Sequence, residues 1–326
     1  MTYRVLLTTP KFREDEAFAR QYLREHDCVP IEHDRHGARL GEDELCELVR
    51  DADGWVTHLE TVTERVFAAA PRLKVISAGG VGYDHIDVAA ASRHGVAVCI
   101  CAGCNNHAVS ELALGLMLGL ARRIATADRA IREGGWPRLV GPELWGKTLG
   151  IVGLGRVGKS LALIGRGLGM RVLATDVVWD ITFANEHQIS YVSLPRLLGE
   201  ADFVSLHCPL TPQTRGLIND ATLAQMKPTA YLINTARGPI VDEAALVRAL
   251  RERRIAGAGL DVFETEPRPN NPFVEFENVL LTSHLGGATH EAVERSLQLA
   301  LLNVTQVLTG GPPVCQVNER EVTLGR

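Results

Sequence analysis

The sequence predicts an α/β fold with two doubly wound parallel-sheet domains, the second inserted into the first. Three observations lead to this prediction. Short β-branched apolar runs alternate with stretches of helical periodicity, the alternation occurs twice, and one long helical segment separates the two series. A chain of 326 residues is long enough for two such domains, each with its own hydrophobic core.

The first series begins near the amino terminus and predicts an outer domain. Its buried parallel strands are expected at residues 3–9, 54–57, 73–77 and 96–100. From Asn105 to Glu133 the periodicity predicts one long helix, apolar in its first half and charged in its second. Such a helix can present a large apolar face to a partner chain.

The second series predicts the inserted domain. Its strands are expected within residues 147–155, 171–176, 202–209, 230–236, 256–263 and 278–286. A final helix from Thr289 to Leu308 stops before a Gly-Gly-Pro-Pro sequence. We therefore expect an outer domain of residues 1–102 and 288–326 and an inserted domain of residues 103–287, both Rossmann-like.

The composition restricts the class of protein. With 46% hydrophobic and 22% charged residues and a formal charge of −5, the chain has a globular composition and lacks the excess positive charge of a nucleic-acid or anionic-membrane binder. No run approaches the roughly 20 apolar residues that span a bilayer, and the first apolar run is too short for a signal peptide. Seven cysteines without disulfide spacing indicate reduced thiols and a cytoplasmic protein.

A glycine motif identifies the expected cofactor site. Gly153, Gly155 and Gly158 follow a predicted strand and open a predicted helix, in the spacing GxGxxG. The first glycine permits a tight turn, the second lets the backbone approach a pyrophosphate, and the third permits close packing of helix on strand. The amino terminus of the helix then receives the phosphates.

An acidic residue completes this motif. Asp176 ends the next predicted strand, 18 residues after Gly158. A carboxylate at this position accepts hydrogen bonds from the ribose hydroxyls of NAD and repels the 2′-phosphate of NADP. Two valines follow it where an NADP site more usually has arginine, so the sequence favours NAD. The alternative, a tight turn with a capping aspartate, is disfavoured by the matched context.

Three further polar residues follow later strands. Arg237 follows AYLINTA, Glu266 lies in DVFETEP, and His284 follows NVLLTS. Ligands of open α/β sheets bind at the carboxyl ends of the strands, where these side chains are expected. Taken singly, each is also compatible with a structural role in a loop.

At this point the sequence resembles the D-isomer-specific 2-hydroxyacid dehydrogenase family, and its pattern is closest to the phosphoglycerate dehydrogenase branch without a regulatory domain. The resemblance covers nearly the whole chain and depends on the motifs GGVGYDHID, GKTLGIVGLGRVG, LHCPLTPQT, INTARGPIVDEAAL and TSHLGGAT. It implies an NAD-dependent enzyme that interconverts a D-2-hydroxy acid and its 2-oxo acid, and a homodimer formed through the long helix.

The resemblance also assigns roles. It places the catalytic arginine, glutamate and histidine of the family on Arg237, Glu266 and His284. A histidine exchanges a proton near neutral pH, a glutamate on its other ring nitrogen favours the imidazolium, and an arginine holds a carboxylate and an oxo group. Substrate is expected at Val81, Gly82, Arg237 and His284. The expected cofactor residues, besides the three glycines and Asp176, are Arg156, Val157, Cys208, Pro209, Thr235, Ala236, Asp261, Gly286 and Gly287.

The substrate stays open at this stage. Thr57 occupies the place where phosphoglycerate-specific members have a phosphate-binding arginine, and Glu60 follows nearby, which argues against a phosphorylated substrate. His58 and Glu60 are candidates for setting specificity. Alternatives are a phosphoglycerate- or phosphite-type dehydrogenase and an NAD-sensing corepressor-like binding protein. The complete Arg, Glu and His set favours an enzyme.

One cysteine cluster suggests a different site. Cys99, Cys101 and Cys104, with His107, resemble the spacing of a metal site, and Cys101 with Cys104 resembles a redox pair. A strand end that enters a helix does not obviously bring four ligands together. We therefore expect no metal and interpret the cluster as the crossing between the domains.

Overall fold

The computed structural model describes residues 2–9, 15–33, 40–319, 321 and 322. It divides into two compact units, the first made of Met1–Asn105 with Thr289–Arg326 and the second of Asn106–Ala288. The chain therefore leaves the outer unit after Asn105 and returns after Ala288, against the predicted boundaries after residues 102 and 287. Each unit contains one parallel sheet, which confirms the predicted α/β class with two parallel-sheet domains.

The outer unit is built on a five-stranded parallel sheet of order β2-β1-β3-β4-β5. Its strands are β1 Tyr3–Leu7, β2 Cys28–Pro30, β3 Gly54–Thr57, β4 Val75–Ala78 and β5 Ala97–Cys99. Its helices are α1 Glu16–Glu25, α2 Glu42–Leu48, α3 Glu64–Ala68, α4 Val88–Arg93 and, after the second unit, α12 His290–Leu308. The strand β2 was not expected from the sequence because it is only three residues long.

Helix α12 covers one face of the outer sheet. Leu297, Leu301 and Val304 are buried there among apolar side chains of β1, β3, β4 and β5. At Gly54 a Cβ would lie 2.6 Å from Cγ1 of Val304, so the helix approaches the sheet over a glycine. Buried Asn303 donates to the carbonyl of Ile100 and accepts from a backbone N–H beyond the helix, which ties α12 to β5 and to the C-terminal segment.

The second unit has a seven-stranded parallel sheet of order β12-β11-β10-β9-β6-β7-β8. Its strands are β6 Thr148–Val152, β7 Arg171–Thr175, β8 Ile189–Tyr191, β9 Phe203–Leu206, β10 Tyr231–Asn234, β11 Gly257–Leu260 and β12 Val279–Leu281. The chain order reverses between β6 and β9, which are direct neighbours. Ligands of doubly wound sheets bind outside the carboxyl ends of the strands at such a reversal.

The helices of the second unit differ from the prediction at one place, where two helices replace the single long one. They are α5 Asn106–Ala121, α6 Ile124–Arg132, α7 Arg156–Gly167, α8 Ile181–Glu186, α9 Leu194–Glu200, α10 Asp220–Leu223 and α11 Glu243–Arg251. The prediction of one helix from Asn105 to Glu133 was wrong, because Arg123 takes a left-handed φ of 52° and separates α5 from α6. Gly141 lies so close to the Ala121 carbonyl at the end of α5 that a Cβ would be 1.8 Å from its oxygen. This packing depends on residues far along the chain, so helical periodicity could not reveal the break.

Within the described residues, every helix is too short or too polar to cross a bilayer.

Candidate active site

The glycine motif forms the turn from β6 into α7. Gly153 has a left-handed φ of 95°, and a Cβ there would lie 2.6 Å from the backbone nitrogen of Cys208. A Cβ at Gly158 would lie 2.1 Å from the carbonyl oxygen of Gly153, so these two positions require glycine. At Gly155 a Cβ would meet nothing within 4 Å, which leaves room for a phosphate beside the backbone. The space around each of the three glycines is therefore compatible with the role that the motif predicts for it.

Asp176 lies at the end of β7 and faces this turn. Its Oδ2 accepts a hydrogen bond from the Leu154 N–H at 2.6 Å, and its Oδ1 accepts from the Val177 N–H at 2.7 Å. A carboxylate has about four acceptor positions, so capacity remains for the hydroxyls of a ribose. The carboxylate is therefore fixed beside the glycine turn, where the sequence places the cofactor ribose.

The remaining predicted cofactor residues lie in loops of the same unit. Thr235, at the end of β10, has a buried hydroxyl that meets no hydrogen-bond partner among the described residues. A buried hydroxyl normally has a partner, so this one is available to a ligand. Other predicted residues lie at the start of α7, after β9, after β10 and before α12: Arg156, Val157, Cys208, Pro209, Ala236 and Gly287. The open glycine, the fixed Asp176 and the Thr235 hydroxyl together fit a dinucleotide.

Arg237 follows β10 in a loop that Asn234 organises. The fully buried Asn234 side chain accepts from the Ala236 N–H at 3.1 Å and donates to the Arg237 carbonyl at 2.9 Å. The next residue, Gly238, lies against the backbone of Phe263, since a Cβ there would be 1.9 Å from the Phe263 carbonyl carbon. This contact brings the Arg237 loop next to the loop that contains Glu266.

Glu266 and His284 form a direct pair. Nδ1 of His284 lies 2.6 Å from Oε2 of Glu266, and Oε1 of Glu266 accepts from the Phe263 N–H at 2.9 Å. Burial acts to raise the pKa of the Glu266 carboxyl. Four effects outweigh it and lower this pKa below its usual value: the hydrogen bond from His284, the charge of His284, the hydrogen bond from the Phe263 N–H and the charge of Arg237. Glu266 therefore stays ionised through mildly acidic pH and can stabilise an imidazolium at His284.

A buried aspartate holds the His284 loop. His284 has a left-handed φ of 57°, which is unfavourable for a residue with a side chain, and its N–H donates to the Asp261 carbonyl at 2.8 Å. The Asp261 carboxylate, fully buried, accepts from the N–H groups of Leu285 at 2.7 Å and Gly286 at 2.9 Å and from the Thr282 hydroxyl at 2.6 Å. Asp261 thus lies beneath the loop, where its hydrogen bonds hold the backbone of His284 and Gly286 in position.

A second buried carboxylate supports the Glu266 loop, and sequence reasoning missed it. Oε1 of Glu243, at the start of α11, accepts from the Glu264 N–H at 2.7 Å, and Oε2 lies 2.5 Å from Nη2 of Arg268. Burial raises the pKa of the Glu243 carboxyl, against the opposing effects of the Glu264 N–H and Arg268. Glu243 lies within VDEAAL and Arg268 directly follows ETEP, but nothing local in the sequence indicates that the two meet.

In the outer unit, Val81 and Gly82 lie in the loop after β4, at the carboxyl edge of the sheet. Thr57 is the last residue of the neighbouring strand β3, and its hydroxyl donates to Oε2 of Glu60, in the loop that follows, at 2.6 Å. The backbone N–H of His58 donates to the same oxygen at 2.7 Å. Both Thr57 and Glu60 are buried, so the Glu60 carboxylate is held within its own loop by these two hydrogen bonds.

The cysteine cluster lies in the core of the outer unit. Cys99, Cys101 and Cys104 are all buried, and burial raises the pKa of the Cys99 thiol to about 12. The single proton of the Cys101 thiol is shared between the carbonyls of Ala78 and Ser296, at 3.2 and 3.3 Å from the sulfur. In the described ranges no group of three or more His, Cys, Asp or Glu side chains is arranged to hold a metal ion. The contacts of this cluster are those of packing and hydrogen bonding.

Comparison with known proteins places these features in a family. A model of the "D-isomer specific 2-hydroxyacid dehydrogenase, NAD binding domain" matches residues 114–286. A glyoxylate reductase of Thermofilum pendens is 43% identical over 302 residues, which cover 90% of this chain and 89% of that protein. A D-3-phosphoglycerate dehydrogenase of Synechocystis is 42% identical, over 86% of this chain and 51% of its own length. The crystal structure of a glyoxylate reductase from Paecilomyes thermophila superposes with a TM-score of 0.85 at 28% identity, over 98% and 99% of the two chains.

Proposed function

The chain belongs to the D-isomer-specific 2-hydroxyacid dehydrogenase family and is an NAD-dependent oxidoreductase of that class; within it, we propose that the protein reduces a small 2-oxo acid such as glyoxylate. The observation that carries the assignment of the chemistry is the 2.6 Å contact between His284 Nδ1 and Glu266 Oε2. This contact leaves Nε2 as the ring nitrogen that exchanges a proton with the substrate.

The glycine turn and Asp176 would hold the cofactor. The turn from Gly153 to Gly158 would bind the pyrophosphate, and Asp176 would bind the adenine-side ribose. The buried hydroxyl of Thr235 could form a hydrogen bond with the same ligand. A bound nicotinamide dinucleotide supplies the hydride. The ionised Asp176 next to exposed valines favours NAD over NADP, because a 2′-phosphate would meet a negative charge.

His284, Glu266 and Arg237 would perform the proton transfer and the orientation of substrate. In reduction, protonated His284 gives the proton at Nε2 to the substrate oxygen as hydride adds to the carbonyl carbon, and in oxidation it removes that proton. Glu266 accepts the Nδ1–H and stabilises the imidazolium. The Arg237 guanidinium, with its fork of donors, binds the carboxylate and the oxo group of the substrate.

A small, unphosphorylated substrate is favoured over a phosphorylated one. At the end of β3, the neutral Thr57 donates a hydrogen bond to the buried carboxylate of Glu60 in the loop that follows. A phosphate dianion would need a cation here and would be repelled by the carboxylate. The similarity to glyoxylate reductases over most of their length supports the same conclusion.

We also propose a cytoplasmic homodimer with no nucleic-acid or membrane partner. The segment after α6 exposes Trp136 at 84%, Val140 at 90% and Trp145 at 74%. Large apolar side chains so exposed in one segment suit an interface between subunits. The cysteine usage supports placement in the cytoplasm. The net charge of −5 argues against a nucleic-acid partner.

A panel of 2-oxo acids with NADH tests the proposed reaction. We expect glyoxylate and other small 2-oxo acids to consume NADH, read as loss of nicotinamide absorbance, and a phosphorylated 2-oxo acid to react poorly. In the matched control His284→Ala, turnover should fall by about a thousandfold while NADH still binds, because only the proton transfer is lost. If no 2-oxo acid is reduced, or if His284→Ala turns over normally, the proposal fails.

Glu266→Gln should change the pH dependence of reduction. A neutral amide stabilises the imidazolium less than a carboxylate does, so the rate of reduction should begin to fall at a lower pH than in the wild type. The measurement is kcat for glyoxylate reduction against pH. Glu264→Gln, two residues earlier in the same loop, is the control and should keep the wild-type profile; an unchanged profile in Glu266→Gln would refute the pairing.

Asp176→Ala should relax the cofactor preference. Removing the carboxylate removes its hydrogen bonds to the ribose and its repulsion of a 2′-phosphate, so the ratio of kcat/KM with NADH to that with NADPH should fall about tenfold or more. Glu186→Ala removes an exposed carboxylate from α8 and should leave the ratio unchanged. Equal ratios in the wild type and Asp176→Ala would locate the discrimination elsewhere.

Sedimentation of the intact protein tests the dimer. We expect the wild type to sediment as a dimer and the double variant Trp136→Glu/Val140→Glu to sediment as a monomer, because charges would enter an apolar interface. Val274→Glu changes a valine outside this segment that is 75% exposed, and this variant should remain dimeric. A monomeric wild type would remove the proposal.

A further inference from the structure

At the end of β4 and in the loop after it, three consecutive carbonyls accept hydrogen bonds from the same two buried residues. The Ala78 carbonyl accepts from the Cys101 thiol at 3.2 Å, the Gly79 carbonyl from the Ser296 hydroxyl at 2.5 Å, and the Gly80 carbonyl from the Cys101 N–H at 2.8 Å. Cys101 and Ser296 are both fully buried. One side of this loop is therefore bonded to the interior of the outer unit.

The other side of the loop is fixed by the geometry of the peptide bond. In a trans peptide the C=O of one residue and the N–H of the next point in opposite directions, and in the described part of the chain the cis bond is at Glu266–Pro267. Because the Gly79 carbonyl points to Ser296, the N–H of Gly80 points away from it. Because the Gly80 carbonyl points to the Cys101 N–H, the N–H of Val81 also points away from the interior.

These two N–H groups lie at an accessible edge of the outer sheet. The side chain of Val81 is 38% exposed and Gly80 is partly exposed, whereas Gly79 is buried and its N–H donates to the Thr57 carbonyl at 2.8 Å. A Cβ at Gly80 would meet nothing within 4 Å, so a ligand oxygen has room beside this backbone. Successive backbone N–H groups directed to one side form a site for an anion.

We propose that Ser296, through its hydroxyl, and Cys101, through its backbone N–H, are positioning residues, which orient the N–H groups of Gly80 and Val81 toward the carboxylate of the substrate. The inference rests on the proposed function, and it adds Gly80 to the donors expected at Val81 and Gly82. It also gives Cys101 a role in substrate binding without metal or redox chemistry.

Ser296 binds the peptide group that joins Gly79 and Gly80. The peptide between Gly79 and Gly80 is flanked by two glycines, and glycine has the largest range of backbone conformations. A hydroxyl that binds the Gly79 carbonyl selects one orientation of this peptide before the substrate arrives, so less ordering is needed on binding. Loss of this hydrogen bond should weaken carboxylate binding and leave the cofactor site in the other unit unaffected.

The test is Ser296→Ala, measured with glyoxylate and with oxamate, an unreactive analogue that has the same carboxylate. We expect KM for glyoxylate and Kd for oxamate in the NADH complex to rise about fivefold, which corresponds to the loss of one hydrogen bond. kcat and the Kd for NADH should stay within about twofold of the wild type.

Thr305→Val is the matched control. It removes a buried hydroxyl from the same helix, where the hydroxyl donates to the Leu301 carbonyl at 2.9 Å, one turn earlier. It should lower the thermal stability without changing Kd for oxamate. An equal rise of Kd in both variants would mean a general loosening of the helix and would overturn the inference.

A second pair of variants decides the case if Ser296→Ala does not fold. Ser296→Thr keeps a hydroxyl donor at this position, and Ser296→Val has nearly the shape of threonine without the donor. We expect a Kd for oxamate that is about fivefold higher in Ser296→Val than in Ser296→Thr. Equal Kd values in these two variants would overturn the inference, whereas a wild type that neither reduces glyoxylate nor binds oxamate would refute the proposed function itself.

Discussion

The carboxylate of Asp261 is the interaction on which the candidate catalytic site depends most. Three donors of the loop after β12 converge on its two oxygens, and its carbonyl accepts the N–H of His284. Together these bonds compensate for the left-handed backbone of His284. A His284 held in this conformation reaches Glu266, and the pair then has a fixed ring orientation and a defined proton-exchanging nitrogen.

The same arrangement occurs at the other loops of the site. Buried Asn234 organises the loop of Arg237, and buried Glu243 binds the backbone of the loop that carries Glu266. In each case a buried side chain forms hydrogen bonds with backbone groups of the loop, which have no partner on a neighbouring strand. The backbone of each loop is thus held in one conformation, which is a condition for an oriented catalytic group.

In the outer unit, too, buried side chains form hydrogen bonds with the backbone of the loops. Ser296 and Cys101 bind successive carbonyls of the loop after β4, and Glu60 binds the loop after β3. A cysteine that resembles a metal ligand in the sequence is therefore a hydrogen-bond donor to the backbone in the fold. Spacing along the chain could not separate these roles, because a strand end directs neighbouring side chains to different surroundings.

The sequence by itself determined the class of fold, the glycine turn with Asp176 and the family, because these depend on local periodicity and on motifs of fixed spacing. It also located Arg237, Glu266 and His284 in their loops. Only the tertiary structure decided that Arg123 interrupts the predicted long helix, that Arg268 meets Glu243, and that Asp261 supports the His284 loop from beneath. The physical reason is that each of these depends on groups distant in sequence that the packing of strands and helices brings within a hydrogen bond or an atomic contact.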